Sequence, residues 1–351
     1  MDETTAGMNN RPTLKDIART AGVSISTVSI VLSGKASERR ISAQVAQRVQ
    51  SVAAQKDYAP NLLMHSLRQG RTQILSFYNG YGYRNRGDLY MDRLTTALEQ
   101  AAGARHYDIL THCDFARPVD EIYRLLNGGR ADGLIFFGPQ QDGPLLSLFR
   151  ASRLPTVILT HRDEAGILSA VSEDMPSGMC KIASELVALG HRRIAALSSS
   201  WADAGARIAA LRARLAEWNI PLPENWVIPT SDDTVAIDDI LQTLMASPEP
   251  PTALFCWHDR VGYQMLDACE RVGIAVPQQL TLVGYDGLHW PSRSPHILAS
   301  VAIDLTALAE AAVGLLDDLV TGKANPPQNL VLPVTLQPGT TLAAPLKLPA
   351  F

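Results

Sequence analysis

Cysteine is scarce in this chain of 351 residues. The four, Cys113, Cys180, Cys256 and Cys269, form no Cys-x-x-Cys and have no matching histidine pair, so neither a zinc site nor a disulfide framework is expected. Long apolar runs are missing too: no stretch reaches the ~18 uninterrupted apolar residues of a membrane span. The opening MDETTAGMNNRP lacks a basic start followed by an apolar segment, which predicts a soluble, cytoplasmic protein without a membrane partner. Catalytic signatures are also lacking. Gly80-x-Gly82 begins a dinucleotide pattern, but Asn85 stands where its third glycine belongs. There is no Walker sequence, no G-x-S-x-G elbow and no H-E-x-x-H helix. No enzyme, cofactor or metal is expected.

What is present is a large apolar fraction, 46%, enough to bury a core and to exclude wholesale disorder. The net charge of -4 is unevenly spread. Residues 1–72 carry ten Lys/Arg against five acids, leaving 21 against 30 for the rest. A basic head on an acidic body is the footprint of a chain whose head alone meets a polyanion.

The head reads as short helices. Thr13 can cap Leu14 to Thr20, where Leu14, Ile17, Ala18 and Ala21 recur at helical spacing. Ala21-Gly22-Val23-Ser24 breaks that helix, with Gly22 free to take positive φ and Ser24 placed as the next cap. The second helix runs from Ile25 to about Leu32, with Val28, Val31 and Leu32 turned inward and Ile25, Ser26, Ser29 and Ile30 outward. Ser42 can cap a third helix carrying Val45, Val49 and Val52. Two short helices at a tight angle can seat the second in a B-DNA major groove. After Pro60, Asn61 can cap a helix too short to be stable alone in water, a segment that orders only with a partner.

The runs Thr13-Leu14-Lys15-Asp16-Ile17-Ala18, Ala21-Gly22-Val23-Ser24, Ser26-Thr27-Val28-Ser29, Val31-Leu32-Ser33-Gly34, Tyr58-x-Pro60-Asn61 and Ser66-Leu67-Arg68-x-Gly70-Arg71-Thr72 resemble the N-terminus of LacI/GalR-family transcriptional regulators. The resemblance continues in Ala188-Leu189-Gly190-His191-Arg192-Arg193-Ile194-Ala195 and Val283-Gly284-Tyr285-Asp286. It implies a homodimeric regulator, expected to be a repressor, that binds a near-palindromic operator and answers to a small-molecule effector. For DNA binding it singles out Thr13, Leu14, Ser24, Ile25, Ser26, Thr27, Ser29 and Ile30 in the head and Asn61, Met64, His65 and Leu67 in the hinge. Ile25, Ser26 and Ile30 are the expected base readers, with Thr13, Ser24, Thr27 and Ser29 on phosphates. Ile30 stands where the family usually has Arg, and Met64 where a small residue is usual. Leu67 matches the apolar lever that the family inserts into the minor groove.

From residue 73 onward, strand-like runs such as Ile74 to Tyr78, Gly133 to Phe137 and Ala253 to Trp257 alternate with amphipathic stretches such as Leu89 to Arg105 and Asp259 to Val272. That pattern argues for parallel sheets covered by helices. The resemblance supplies the rest: a two-lobed α/β effector domain of the type I periplasmic-binding-protein kind, crossed three times by the chain, behind an all-α helix-turn-helix domain. The expected divisions are 11–60 for the DNA-binding domain, 61–72 for hinge and linker and 73–345 for the effector-binding and dimerisation domain.

Ligands of such folds gather beyond the carboxyl ends of strands. Those positions hold Tyr78, Tyr81, His161, Trp257 and His258, and aromatic faces with carboxylates and guanidinium groups suit sugar rings and their hydroxyls. A carbohydrate is therefore the expected effector class. The resemblance adds Asp174, Arg207 and Asp286, and His258 replaces the family's usual Asn. A solute-binding protein of a carbohydrate transport system would share the body, but it should carry an export signal where this chain has a basic head.

Overall fold

The computed structural model describes residues 12–59, 70–81, 87–113, 116–138, 143–230 and 237–346. Asn61, Met64, His65 and Leu67 lie outside them. The chain divides into two compact units, Met1–Thr72 and Gln73–Phe351.

In the first unit, α1 (Leu14–Ala21), α2 (Ile25–Leu32) and α3 (Ala43–Gln55) close a small core. Each start is capped by a side chain. Thr13 and Asp16 form a reciprocal capping box, Ser24 accepts from the Thr27 N–H and Ser42 from the Val45 N–H. The Thr13 hydroxyl, by donating to Asp16, holds that carboxyl below its usual range. Gly22 ends α1 at φ 66°, a conformation that β-carbon-bearing residues adopt at a cost, and the chain turns sharply into α2. Ile17, Val28, Val31 and Val49 fill the core, with Leu32 and Tyr58 packed against it. A core this small leaves little margin. Thr13→Ala should cost about 1 kcal/mol and lower the head's melting transition in calorimetry, with the body's transition unmoved.

The second unit holds two sheets of like topology. The first contains β1 (Ile74–Asn79), β2 (Asp108–Cys113), β3 (Gly133–Phe137), β4 (Thr156–Leu159), β5 (Ser169–Glu173) and β11 (Asn329–Leu332), in the order β11-β5-β4-β3-β1-β2. The second contains β6 (Ile194–Ser198), β7 (Val227–Pro229), β8 (Ala253–Cys256), β9 (Thr281–Asp286), β10 (Ala299–Ala302) and β12 (Thr335–Gln337), in the order β12-β10-β9-β8-β6-β7. Every pairing is parallel except β10 with β12. Strands such as β3, with every residue buried, need helices on both faces.

Those helices are α4 (Leu89–Gly103), α5 (Val119–Asn127), α6 (Pro144–Arg150), α7 (Met175–Ala188), α8 (Ala202–Ala216), α9 (Ile237–Met245), α10 (Asp259–Val272) and α11 (Leu305–Val320). The chain leaves the first sheet after β5 and packs α7 on α8 of the second lobe. It returns with α11, which lies on α4 and the first sheet, and crosses again between β11 and β12. These are the three expected crossings. Apolar runs in the sequence mark β1, β2, β3, β4, β6, β8 and β9, while β5, the short β7, β10, β11 and β12, and the helices α5, α6, α9 and α11 escaped, the short strands because their placement depends on distant partners.

Candidate functional site

On the head, α2 presents Ile25 at 46% exposure, an apolar side chain unprotected by the core. Ser24 and Ser26 are exposed as well, while Thr27, Ser29 and Ile30 are half-buried. The hydroxyls of Thr13, Ser24 and Thr27 take part in capping: Ser24 Oγ lies 2.8 Å from Thr27 Oγ1. First-turn N–H groups of α2 add donors of the kind that hold phosphate. Leu14 is half-buried against the head core, so packing occupies part of its surface.

In the body, each sheet reverses its strand order beside its first strand, between β1 and β3 and between β6 and β8. Ligands of open α/β sheets bind at such switch points. A cavity of about 220 Å³ lies there, with Tyr81 and Phe137 beyond β1 and at the end of β3, and Trp201 and Trp257 beyond β6 and β8. Tyr90 and Trp290 add further aromatic wall. Tyr81 sits 4.7 Å from Phe137 and 5.2 Å from Trp201 between ring centroids, and its hydroxyl donates to Asp203 at 2.5 Å. That bond ties the first lobe to the second. Burial, then the neighbouring Asp203, keeps the Tyr81 phenol neutral and donating.

Arg207, on α8, is the charged centre. It donates to the Trp257 carbonyl at 2.6 Å, lies 3.5 Å from Asp286 and stacks 3.8 Å over the Tyr285 ring. Burial works against its charge, and Asp286, Tyr285 and Glu173 more than offset this, so it stays protonated. Asp286 ends β9 at φ 114° and Thr160 follows β4 at φ 74°. Non-glycine residues at such angles cost about 1–3 kcal/mol each and cluster at ligand sites. Behind them Asp259 accepts from Ser300 Oγ at 2.6 Å and from the Leu288 N–H at 2.5 Å, fixing the loop that carries Trp290. Its carboxylate fits because residue 284 is glycine: a β-carbon there would stand 2.2 Å from Oδ1.

The structure brings Tyr81, Arg207, Trp257, His258 and Asp286 to this one cavity. His258 caps α10 by accepting the Val261 N–H at 3.1 Å, while its ring packs on Trp257 at 3.8 Å. His161 and Asp174 line a neighbouring cavity of about 360 Å³, which shares Thr160, Glu173, Asp203 and Arg207 with the first. Asp174 there caps α7 through the Ser177 N–H. Tyr78 is a correction: it is 3% exposed, packs on Phe136 in the core of the first lobe and does not line the cavity. Alternation along a strand explains this, because Tyr78 still belongs to β1 and points into the layer beneath.

Glu173, Trp201 and Asp203 were not anticipated as cavity residues. The signal for Trp201 was available, a large aromatic three residues beyond an apolar strand. Glu173 ends a strand that only its pairing with β4 and β11 defines.

Burial raises Glu173 to about 7 and Asp286 to about 6, despite the nearby Arg207. Both values exceed those of unfolded carboxyls, so between about pH 4.5 and 7 the native state holds protons that the unfolded chain has lost. The contribution of these two groups to stability therefore falls as pH rises through that window and levels off above it, against the opposite slope of His112, His161 and His191, which burial holds below their usual range. Melting curves from pH 5 to 8 should show Glu173→Gln gaining stability relative to the wild type as pH rises.

A helix-turn-helix head joined to a two-lobed α/β body with an interlobe cavity defines a class of ligand-responsive DNA-binding proteins. Residues 13–61 match the family model described as bacterial regulatory proteins, lacI family, and residues 183–342 match the periplasmic binding protein-like domain. The chain is 24% identical over 324 residues to the HTH-type transcriptional repressor PurR of Escherichia coli O139:H28 (strain E24377A / ETEC), covering 91% of this chain and 93% of that protein. It is 25% identical over 316 residues to PurR of Photobacterium profundum, covering 89% and 92%. Among solved structures, the lac repressor dimer bound to operator and the anti-inducer ONPF superposes with a TM-score of 0.84 at 23% identity, over 95% of this chain and 100% of that one. A complex of the transcriptional regulator CelR with cellobiose gives 0.67 at 22% identity, over 94% and 100%. The match over residues 13–61 makes the head a lacI-type DNA-binding domain, and the similarity over 91% of the chain makes the protein a homologue of these DNA-binding transcriptional repressors. No helix among the described residues is long and apolar enough to cross a membrane.

Proposed function

We propose that this protein is a cytoplasmic, homodimeric repressor whose grip on a near-palindromic operator is set by a sugar or sugar derivative bound between the lobes. The observation that carries the effector class is the cavity itself. Tyr81, Trp201, Trp257 and Trp290 offer flat apolar faces, and carboxylates and a guanidinium stand among them to meet hydroxyls. In this reading residues 11–60 bind DNA, 61–72 connect and 73–345 sense the effector and dimerise. Tyr81 with Asp203 joins the lobes at the cavity, so a ligand that closes or parts them shifts the population of body conformations available to the head.

Thermal shifts of the full chain with a panel of sugars, paired with anisotropy of a fluorescent palindromic duplex selected from a random pool, test the proposal. A sugar that raises the melting temperature and also changes duplex affinity is expected. Sugars that stabilise the protein without touching duplex affinity would leave sugar binding uncoupled from the operator and overturn the control proposed here. In the hinge, Leu67→Ala should weaken specific binding far more than nonspecific binding, and equal losses would argue against a minor-groove wedge.

A further inference from the structure

The cavity has a surplus of negative charge. Its walls hold the carboxylates of Asp88, Glu173, Asp203 and Asp286 against the guanidinium groups of Arg207 and Arg260. Three of the acids have a partner in place: Asp88 accepts the Met91 N–H at the start of α4, Asp203 accepts from Tyr81, and Asp286 faces Arg207. The cations are committed as well. Arg207 serves Asp286, the Trp257 carbonyl and the Tyr285 ring, and Arg260 lies 5.5 Å over Trp290.

Glu173 is left over. It is 9% exposed, and its Oε2 is buried with no hydrogen-bond partner. An unpaired carboxylate out of water is costly and is retained where something else supplies a donor. Aromatic rings surround the same space, and their electron-rich faces attract cations and leave anions unfavoured. A phosphate or carboxylate placed here would add to the surplus.

We propose that the effector is a polyhydroxylated amine, an amino sugar in the simplest case, whose ammonium group pairs with Glu173 within the aromatic walls. This rests on the sugar-class reading above and narrows it. Burial already holds Glu173 half-protonated near neutral pH, the state of an acid awaiting a counter-charge. Its other charged neighbours, Arg207, Asp203 and Asp286, come from α8 and β9, and only Arg207 among them is positive. Glu173 is in this view the residue that sets charge specificity, while Asp286 and Arg207 orient the ring hydroxyls.

The test uses the full chain and matched probes: glucose, glucosamine and glucose 6-phosphate, and the same three forms in the galactose and mannose series. Titration calorimetry and thermal shift should rank the amine about tenfold or more above the neutral sugar, as expected for one new charge pair of roughly one pKa unit's worth, with the phosphate weakest. Glu173→Gln should reduce affinity for the amine about tenfold more than for its neutral counterpart. A neutral or phosphorylated sugar that outranks its amine overturns this inference and leaves the sugar-class reading standing, whether or not the variant folds. Equal losses for both ligands in Glu173→Gln overturn the role given to Glu173. No response to any of the nine probes removes the sugar-class reading and this inference with it.

Discussion

Ile30→Arg is expected to turn one position of each operator half-site toward G·C, by about 1–3 kcal/mol of discrimination. The natural side chain lies half-buried on α2, whose Ile25 is exposed, and neither can donate to guanine O6 and N7. What an isoleucine can do at a base edge is pack on the C5-methyl of thymine. The wild type should therefore select A·T at that position, and the variant's guanidinium, with two donors in a fixed fork, should reverse the choice. Selection from randomised duplexes with both proteins measures it. Enrichment of G·C by the wild type would show that Ile30 does not face the base edge. The head should keep its fold in this variant, because Val28 and Val31 carry the packing of α2 and Ile30 is not among the fully buried residues.

Arg207→Leu should abolish the response to effector and destabilise the body by about 3–5 kcal/mol, the usual cost of removing one partner of a buried ion pair. The substitution takes from Asp286 and Glu173 the guanidinium that neighbours them and exposes the Trp257 carbonyl to an apolar neighbour. Chemical denaturation of the isolated variant reads the loss, and duplex binding with and without ligand reads the response. Adding Asp286→Asn to Arg207→Leu should recover part of the stability, since the stranded charge is gone, and none of the ligand response. If the two changes cost simply the sum of their separate effects, the 3.5 Å contact carries no coupling energy.

The two halves of the molecule were not equally legible from sequence. In the head, helix, turn and next cap are written within a few residues: Thr13 with Asp16, Gly22, then Ser24. Each of these acts through the backbone of its immediate neighbours, so local order along the chain suffices. The strong apolar strands of the body were legible for a similar reason, being continuous runs bounded by polar turns. Their division into two sheets was not, and neither was β5, whose Ser169–Glu173 alternates too weakly to announce a buried strand.

The sequence by itself determined that a basic helical reader precedes an acidic α/β body, because charge, capping and apolar period are properties of neighbouring residues. Only the tertiary structure decided which side chains meet in the cavity. It moved Tyr78 into the core, gave Arg207 to Asp286, and set Glu173 unpaired among aromatic rings from both lobes. Those contacts join residues more than thirty positions apart, through strand order and lobe closure, and the strength of a charge depends on what surrounds it after folding.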